Sequence, residues 1–173
     1  HQLSLLKTKK ARKGKKTNAF ILKNTLSNKL LNSLDFKLTN AQSHCIQEIN
    51  DDLASSEPML RLLQGDVGSG KTIVAVFALI QAVENNFQAA IMAPTEILAR
   101  QHLQNFTHYL ESLNIQIAYL SGSQNTQERM EQLSLVESGQ AKVVIGTHAL
   151  FQESVSFKNL SLVIIDEQHK FGV

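Results

Sequence analysis

The sequence predicts an α/β fold, a parallel β-sheet with helices on both faces, preceded by a basic helical or linker segment. Three observations lead there. Short apolar runs alternate with helical patterns of roughly 12 to 16 residues, the arrangement that covers both faces of a parallel sheet. A glycine-rich loop, G-D-V-G-S-G-K-T from Gly65 to Thr72, joins one such run to the helix after it. Polar clusters stand at the carboxyl ends of the runs, where ligands sit in sheets of this kind.

A length of 173 residues gives room for one ordinary domain with a substantial core. Hydrophobic residues at 43% and charged residues at 18% fit a globular protein, and no run approaches the ~18 apolar residues of a membrane span. The basic N-terminal stretch is not followed by the apolar core and cleavage site of a signal peptide. Cys45 is the only cysteine, which excludes an internal disulfide and a four-cysteine zinc site. The expectation is a cytoplasmic protein. The net charge of +2 is unevenly spread: residues 1–34 hold nine basic residues and no acid, and residues 35–173 hold the other 8 basic and all 15 acidic ones. Such a basic run either contacts a phosphate backbone or is a solvated linker. Opening on His1 rather than Met is what a piece of a longer protein would show.

In chain order, residues 1–6, with Leu3, Leu5 and Leu6, read as the end of an apolar helical segment, and residues 7–18 as a basic linker. Residues 20–34 repeat apolar positions at three and four, an amphipathic helix. The main domain opens at Phe36. Thr39 and Gln42 fit a capping box for a helix from Asn40 to Leu53, and Pro58 then breaks the chain before a strand at 59–64. The helix from Lys71 ends near Asn85 and Asn86, residues that tolerate a left-handed terminus. A strand at Ala89 to Ala93 is closed by Pro94, and Thr95 caps a helix carrying Ile97, Leu98, Leu103, Phe106, Tyr109 and Leu110. There follow a strand at Ile115 to Leu120, a turn at Ser121 to Ser123, a helix at Gln124 to Glu137 stopped by Gly139, a strand at Val143 to Thr147, and a strand at Leu162 to Ile165.

The chemistry begins at the loop. Its glycines permit turns closed to residues with a β-carbon, so that consecutive backbone N–H groups can converge on phosphate oxygens at a helix N-terminus. Lys71 adds a positive charge for the outer phosphates and Thr72 a hydroxyl for Mg2+, so a nucleoside triphosphate is the expected ligand. Asp166 and Glu167 follow four apolar residues. They suit a magnesium ion, held by Asp166 through water, and a base in Glu167 for the attacking water; the alternative is a solvated strand end. The phosphate loop, Pro94 to Glu96, Ser121 to Ser123, Thr147 with His148, and Asp166 with Glu167 are expected to share one edge of the sheet. His169 reads as a surface residue, a core residue or a relay between nucleotide and nucleic acid. Arg100 and Lys142 are either phosphate contacts or solvated charges, and Met59, Met92 and Met130 read as packing.

The series F-K-L-T-N-A-Q, G-D-V-G-S-G-K-T, M-A-P-T-E-I-L-A-R-Q-H, G-T-H-A-L and V-I-I-D-E-Q-H-K-F-G-V resembles the first motor lobe of superfamily 2 helicases, over about residues 36 to 173. Within them it is similar to ATP-dependent DNA helicases that remodel stalled forks and Holliday junctions. Gln168 separates it from the related transcription-repair translocases, which usually carry a second Glu there. The resemblance implies a RecA-like P-loop NTPase lobe at 35–173, and at 1–34 a linker and short helix joining an upstream wedge domain. It implies ATP and Mg2+ as cofactors, branched or duplex DNA as partner, and a monomer. Phe36 and Gln42 would contact the adenine, and Gly65, Asp66, Val67, Gly68, Ser69, Gly70, Lys71 and Thr72 would hold the phosphates. Thr72 and Asp166 would serve the metal, with Lys71, Asp166 and Glu167 in catalysis and Gln168 and His169 coupling the site to DNA. Pro94, Thr95, Gly122, Thr147 and His148 fall where such motors touch the DNA backbone, with Arg100 beside them.

Two departures matter. Lys170 stands where Arg is usual, keeping the charge but not the forked hydrogen bonding. The second lobe, which supplies an arginine finger in this family, and the wedge domain lie outside the sequence, so the chain is expected to bind MgATP, hydrolyse it very slowly and not unwind DNA alone. The rival readings are a transcription-repair translocase lobe, a nucleotide- and nucleic-acid-binding module without motor activity, and a phosphate-loop kinase.

Overall fold

The structure, a computed structural model, describes residues 16–167 and the backbone of Leu3–Lys7. Most of the basic run and the stretch from Gln168 to Val173, with His169 and Lys170, lie outside the described residues. Two compact units divide the chain, His1–Gln81 and Ala82–Val173.

In the first unit, β1 (Leu3–Lys7) pairs antiparallel with β2 (Arg61–Gly65), from Leu3 opposite Gly65 to Lys7 opposite Arg61. The helical reading of residues 1–6 is therefore corrected to a strand from Leu3 onward, His1 and Gln2 lying outside the described residues. Five residues are too few for periodicity to separate the two, and a partner far along the chain decides. The amphipathic helix is shorter than expected: α1 runs over Thr25–Ser33. Phe20 is buried and its N–H donates to the Leu53 carbonyl at 2.8 Å, while Asn24 takes a left-handed conformation (φ 57°), so the helix starts only after them. α2 (Asn40–Leu53) has the capping box: the Gln42 N–H donates to Thr39 Oγ1 (3.2 Å) and the Thr39 N–H to Gln42 Oε1 (2.9 Å). Its buried face carries Cys45, Ile49 and Leu53, one helical turn apart. Arg61, on β2, is fastened to α2 through Asp52 and Glu48. α3 (Lys71–Glu84) follows the glycine-rich loop.

The second unit is a four-stranded sheet in the order β4 (Ile117–Leu120), β5 (Val143–Gly146), β3 (Gln88–Met92), β6 (Leu160–Ile165), parallel throughout. All five residues of β3 are buried, as a central strand covered on both faces requires. Strand alternation then assigns the helices. Ala118 and Leu120 share a cluster with Val136 of α5 (Thr126–Ser138), whereas Tyr119, between them, packs with Ala99 of α4 (Glu96–Leu110). The two helices cover opposite faces. At Gly146 the strands approach so closely that a Cβ would lie 2.0 Å from the Leu120 carbonyl oxygen, and only glycine fits.

Strand β2 pairs with β1 in the first unit and is not one of these four strands, which corrects the expectation of a single parallel ladder that includes it. Its apolar run suggested a buried parallel strand, but its residues alternate between half-buried and exposed, as a strand in a two-stranded ladder can. Smaller differences have local causes. α5 begins at Thr126 rather than Gln124 because Gln124 is used by its own loop, accepting from the Ser121 N–H (2.9 Å) and donating to the Tyr119 carbonyl (3.0 Å), while Asn125 caps the helix. Asn86 (φ 61°) ends α3 and Gly139 (φ 74°) ends α5, as expected.

Gln88, buried at the start of β3, donates to the carbonyls of Val136 (2.8 Å) and Ala141 (2.9 Å) and accepts from the Asn159 N–H (2.9 Å). Gln88→Leu should cost about 2–3 kcal/mol by stranding buried polar groups, seen as a lower urea midpoint at unchanged slope. An unchanged midpoint would contradict this role.

Candidate functional site

The loop between β2 and α3 turns through two left-handed glycines, Gly68 (φ 80°) and Gly70 (φ 79°). The Ser69 N–H closes a turn onto the Asp66 carbonyl at 3.1 Å. Lys71 folds back over the loop, its ammonium donating to the carbonyls of Gly65 (2.7 Å) and Asp66 (3.0 Å). Nothing stands within 4 Å of a Cβ built on Gly68, and Val67 is almost fully exposed. The Ser69 hydroxyl is buried with no hydrogen-bond partner among the described residues. An ammonium resting on two carbonyls and a buried hydroxyl lacking a partner are groups that phosphate oxygens would satisfy.

Gln42 does more than cap α2. Its Nε2 donates to the Ser69 carbonyl at 3.3 Å, so the cap reaches the phosphate loop directly. A Cβ on Gly70 would sit 2.1 Å from that nitrogen, which adds a steric reason for glycine to the conformational one. Phe36, ahead of the cap, is 42% exposed and so available to a flat ring.

In the second unit the four remaining clusters follow the carboxyl ends of four parallel strands and so lie along one edge. After β3, Pro94 leads to Thr95, whose hydroxyl accepts from the Leu98 N–H (3.3 Å) and caps α4. After β4, Gly122 lies in a turn held by Glu96, which accepts from both the N–H (3.0 Å) and the hydroxyl of Ser123. After β5, Thr147 caps a short 3-10 turn that begins with the exposed His148. After β6, the Asp166 N–H donates to the Met92 carbonyl (2.9 Å), and Glu167 adopts a left-handed conformation (φ 52°) that is uncommon outside glycine and is often found at functional sites. Arg100 is exposed, its guanidinium 5.4 Å from the Tyr119 ring centroid. Lys142, ahead of β5, lies at the opposite edge and donates to Asn86 (2.7 Å), which removes it from the phosphate candidates on this edge.

Sequence reasoning missed three residues here. Glu96 was read as part of a motif, not as the clamp on the Ser123 turn. Arg129 donates to the Ser121 carbonyl (3.3 Å) and to Gln152 (2.7 Å), tying that turn to the segment after the 3-10 turn. His102 meets Asp166, Nε2 to Oδ2, at 2.7 Å. The signal for His102 was a polar residue on the apolar face of α4 that carries Leu98, Ala99 and Phe106. Among the described residues no cluster of three or more His, Cys, Asp or Glu could hold a metal alone. The hydroxyl of Thr72 in the first unit and the carboxylate of Asp166 in the second are each hard oxygen donors of the kind Mg2+ prefers.

The Ser123 hydroxyl, and after it the Ser123 N–H, hold the Glu96 carboxyl below the usual glutamate range. A carboxylate depressed in the folded state contributes its stabilisation above the ordinary glutamate pKa and loses it as pH falls through the lower folded value. The Ser123 amide resonance should therefore titrate with a midpoint below that of a free-peptide glutamate, and Glu96→Gln should abolish the titration. A midpoint at the ordinary value would contradict the clamp.

The sequence profile of the DEAD/DEAH box helicase family matches residues 39–173. The ATP-dependent DNA helicase RecG of Escherichia coli (strain K12) is 47% identical over all 173 residues, which cover 25% of that protein. That of Thermotoga maritima is 53% identical over 148 residues, 86% of this chain and 19% of the relative. A solved structure of RecG bound to a three-way DNA junction superposes with a TM-score of 0.85 at 49% identity, covering 91% of this chain and 22% of that one. A hypothetical ATP-dependent RNA helicase from Sulfolobus tokodaii, at TM-score 0.62 and 20% identity, shares the fold, and covers 84% of this chain and 42% of its own. The chain spans about a quarter of the length of the RecG relatives it matches. It carries the α/β fold of a RecA-like helicase lobe, and it belongs to the DEAD/DEAH box helicase family, with RecG DNA helicases among its close relatives.

Proposed function

We propose that this chain is the ATP-binding part of the motor of a RecG-type DNA helicase. It would work on branched DNA such as replication forks and Holliday junctions, in recombination and repair, and in the cytoplasm. The observation that carries the reading is the state of the loop from Gly65 to Thr72: two left-handed glycines, a lysine resting on backbone carbonyls and a buried serine hydroxyl without a partner. The identity to RecG helicases over the whole chain supports it.

In this reading the N–H groups of the loop and the N-terminus of α3 receive the β- and γ-phosphates. Lys71 exchanges its two carbonyl partners for phosphate oxygens, an exchange of neutral acceptors for charged ones that favours the bound form. Thr72 in the first unit and Asp166 in the second would each offer an oxygen donor suited to the metal, Glu167 would orient and deprotonate the attacking water, and Phe36 and Gln42 would receive the adenine. A bound magnesium ion supplies neutralisation of charge developing on the transferred phosphoryl oxygens. Gln42 already uses Oε1 on Thr39 and one Nε2 hydrogen on Ser69, which leaves one amide hydrogen for a base. Contact with the adenine would thus be felt at the loop through the same side chain.

Pro94, Thr95, Gly122, Thr147 and His148, with Arg100, line the edge proposed to meet the DNA backbone. Backbone N–H groups and small polar side chains hold phosphates there without reading sequence, as a motor that moves along any duplex requires. Hydrolysis coupled to movement needs a second lobe and its arginine.

Calorimetry tests this directly. The 173-residue chain should bind MgATP, and Lys71→Ala should weaken binding by about tenfold or more, the cost of a lost charged hydrogen bond. Turnover should be very slow with or without branched DNA. Binding indifferent to Lys71→Ala would overturn the site, and robust DNA-stimulated turnover would overturn the claim that a second lobe is needed.

A further inference from the structure

We propose that His102 is a positioning residue for Asp166, fixing the direction in which that carboxylate meets the metal ion. The inference rests on the reading of Asp166 as a metal-holding residue. His102 projects from α4 and its Nε2 lies 2.7 Å from Asp166 Oδ2, with 16% of the histidine side chain and 33% of the aspartate side chain exposed. A carboxylate offers only lone pairs, so Nε2 carries the hydrogen and donates it. On its other side the ring meets Phe106 edge-on, centroids 6.0 Å apart and planes at 62°. Its Nδ1 is buried with no partner among the described residues.

The arrangement is informative for what it leaves unsatisfied. A leucine at position 102 would pack on Phe106 without burying an unpaired ring nitrogen. What it would lack is the Nε2 donor. The one polar use of this imidazole is the bond to Asp166. That residue is already pinned through its backbone, its N–H on the Met92 carbonyl at 2.9 Å. Backbone and Oδ2 are thus held from two directions, by β3 and by α4, and the carboxylate cannot rotate freely. Partners of this kind orient metal-ligating groups, and their loss typically lowers metal affinity without removing a ligand. His102 also lies on the helix that Thr95 caps, so α4 connects the metal carboxylate to the edge proposed for DNA.

Two measurements test the proposal. In the 15N-histidine-labelled chain, two-bond proton–nitrogen correlations should show His102 as the Nε2–H form, and Asp166→Ala should change that signature. Binding of Mn2+–ATP, followed by electron paramagnetic resonance, should be strongly weakened in Asp166→Ala and weakened about tenfold in His102→Ala. His102→Gln, whose amide nitrogen can donate from a similar reach, should recover most of the loss, which a merely structural role would not produce. Should His102→Ala unfold, His102→Phe keeps a ring against Phe106, has no donor, and should show the same loss. An Nδ1–H signature, or weakened binding in Asp166→Ala with wild-type binding in the donor-free variants, would overturn the proposal alone. Absence of Mn2+–ATP binding by the unmodified chain, or binding indifferent to Asp166→Ala, would overturn the reading of the site and the proposal with it.

Discussion

The nucleotide site proposed for this chain depends on a backbone conformation that glycine adopts cheaply and other residues do not. At Gly68 and Gly70 the chain passes twice through the left-handed region within three residues, just ahead of α3, and the Ser69 N–H between them closes onto the Asp66 carbonyl. A β-carbon at either place would strain the backbone by roughly 1–2 kcal/mol, and at Gly70 it would also collide with Gln42. The steric demand and the polar network are therefore one feature. Gln42 can cap α2 and reach the Ser69 carbonyl only because position 70 has no side chain. The loop is in this way tied to the helix that precedes it, as well as to the one it starts.

A second constraint acts in the parallel sheet. Parallel strands all end on one edge, and the register of β3 with β6 decides which residue after β6 arrives beside Met92. That residue is Asp166, whose N–H continues the ladder by one bond. The core beneath is built of small and branched residues, Ala89, Ala90, Ala118, Val143, Val144 and Ile145, which lets both helices pack closely. Polar side chains then appear where the strands stop: Glu96 on the Ser123 turn, Arg129 beneath it, His102 on Asp166. Each fixes a loop that a strand merely delivers, so the apolar layer sets position and the hydrogen bonds set direction.

Features that depend on neighbouring residues were legible in the sequence. The capping box of Thr39 and Gln42, the cap at Thr95, the stops at Asn86 and Gly139 and the glycine-rich loop all follow from backbone chemistry within a few positions. The family resemblance added the roles proposed for distant motifs. What could not be read depends on contacts far along the chain. Leu3–Lys7 is a strand because Arg61–Gly65 lies against it, and α1 starts late because the Phe20 N–H is committed to the Leu53 carbonyl. Membership of β2 in the parallel sheet was inferred from apolar composition, which does not distinguish one ladder from another. Gln124 has the composition of a helix start, but its side-chain amide closes the turn before it. His102 and Asp166 are 64 positions apart, and no local pattern relates them.

The strictest test concerns the loop's amides themselves. In a 15N-labelled sample, addition of MgATP should shift the backbone N–H resonances of Gly68, Ser69, Gly70, Lys71 and Thr72 downfield together, as donors do on engaging phosphate, with the side-chain amide of Gln42 moving at the same ligand concentration. If MgATP left those resonances unmoved while shifting others, the triphosphate would not be held by the loop, and the assignment of this chain to nucleotide-driven work would fail.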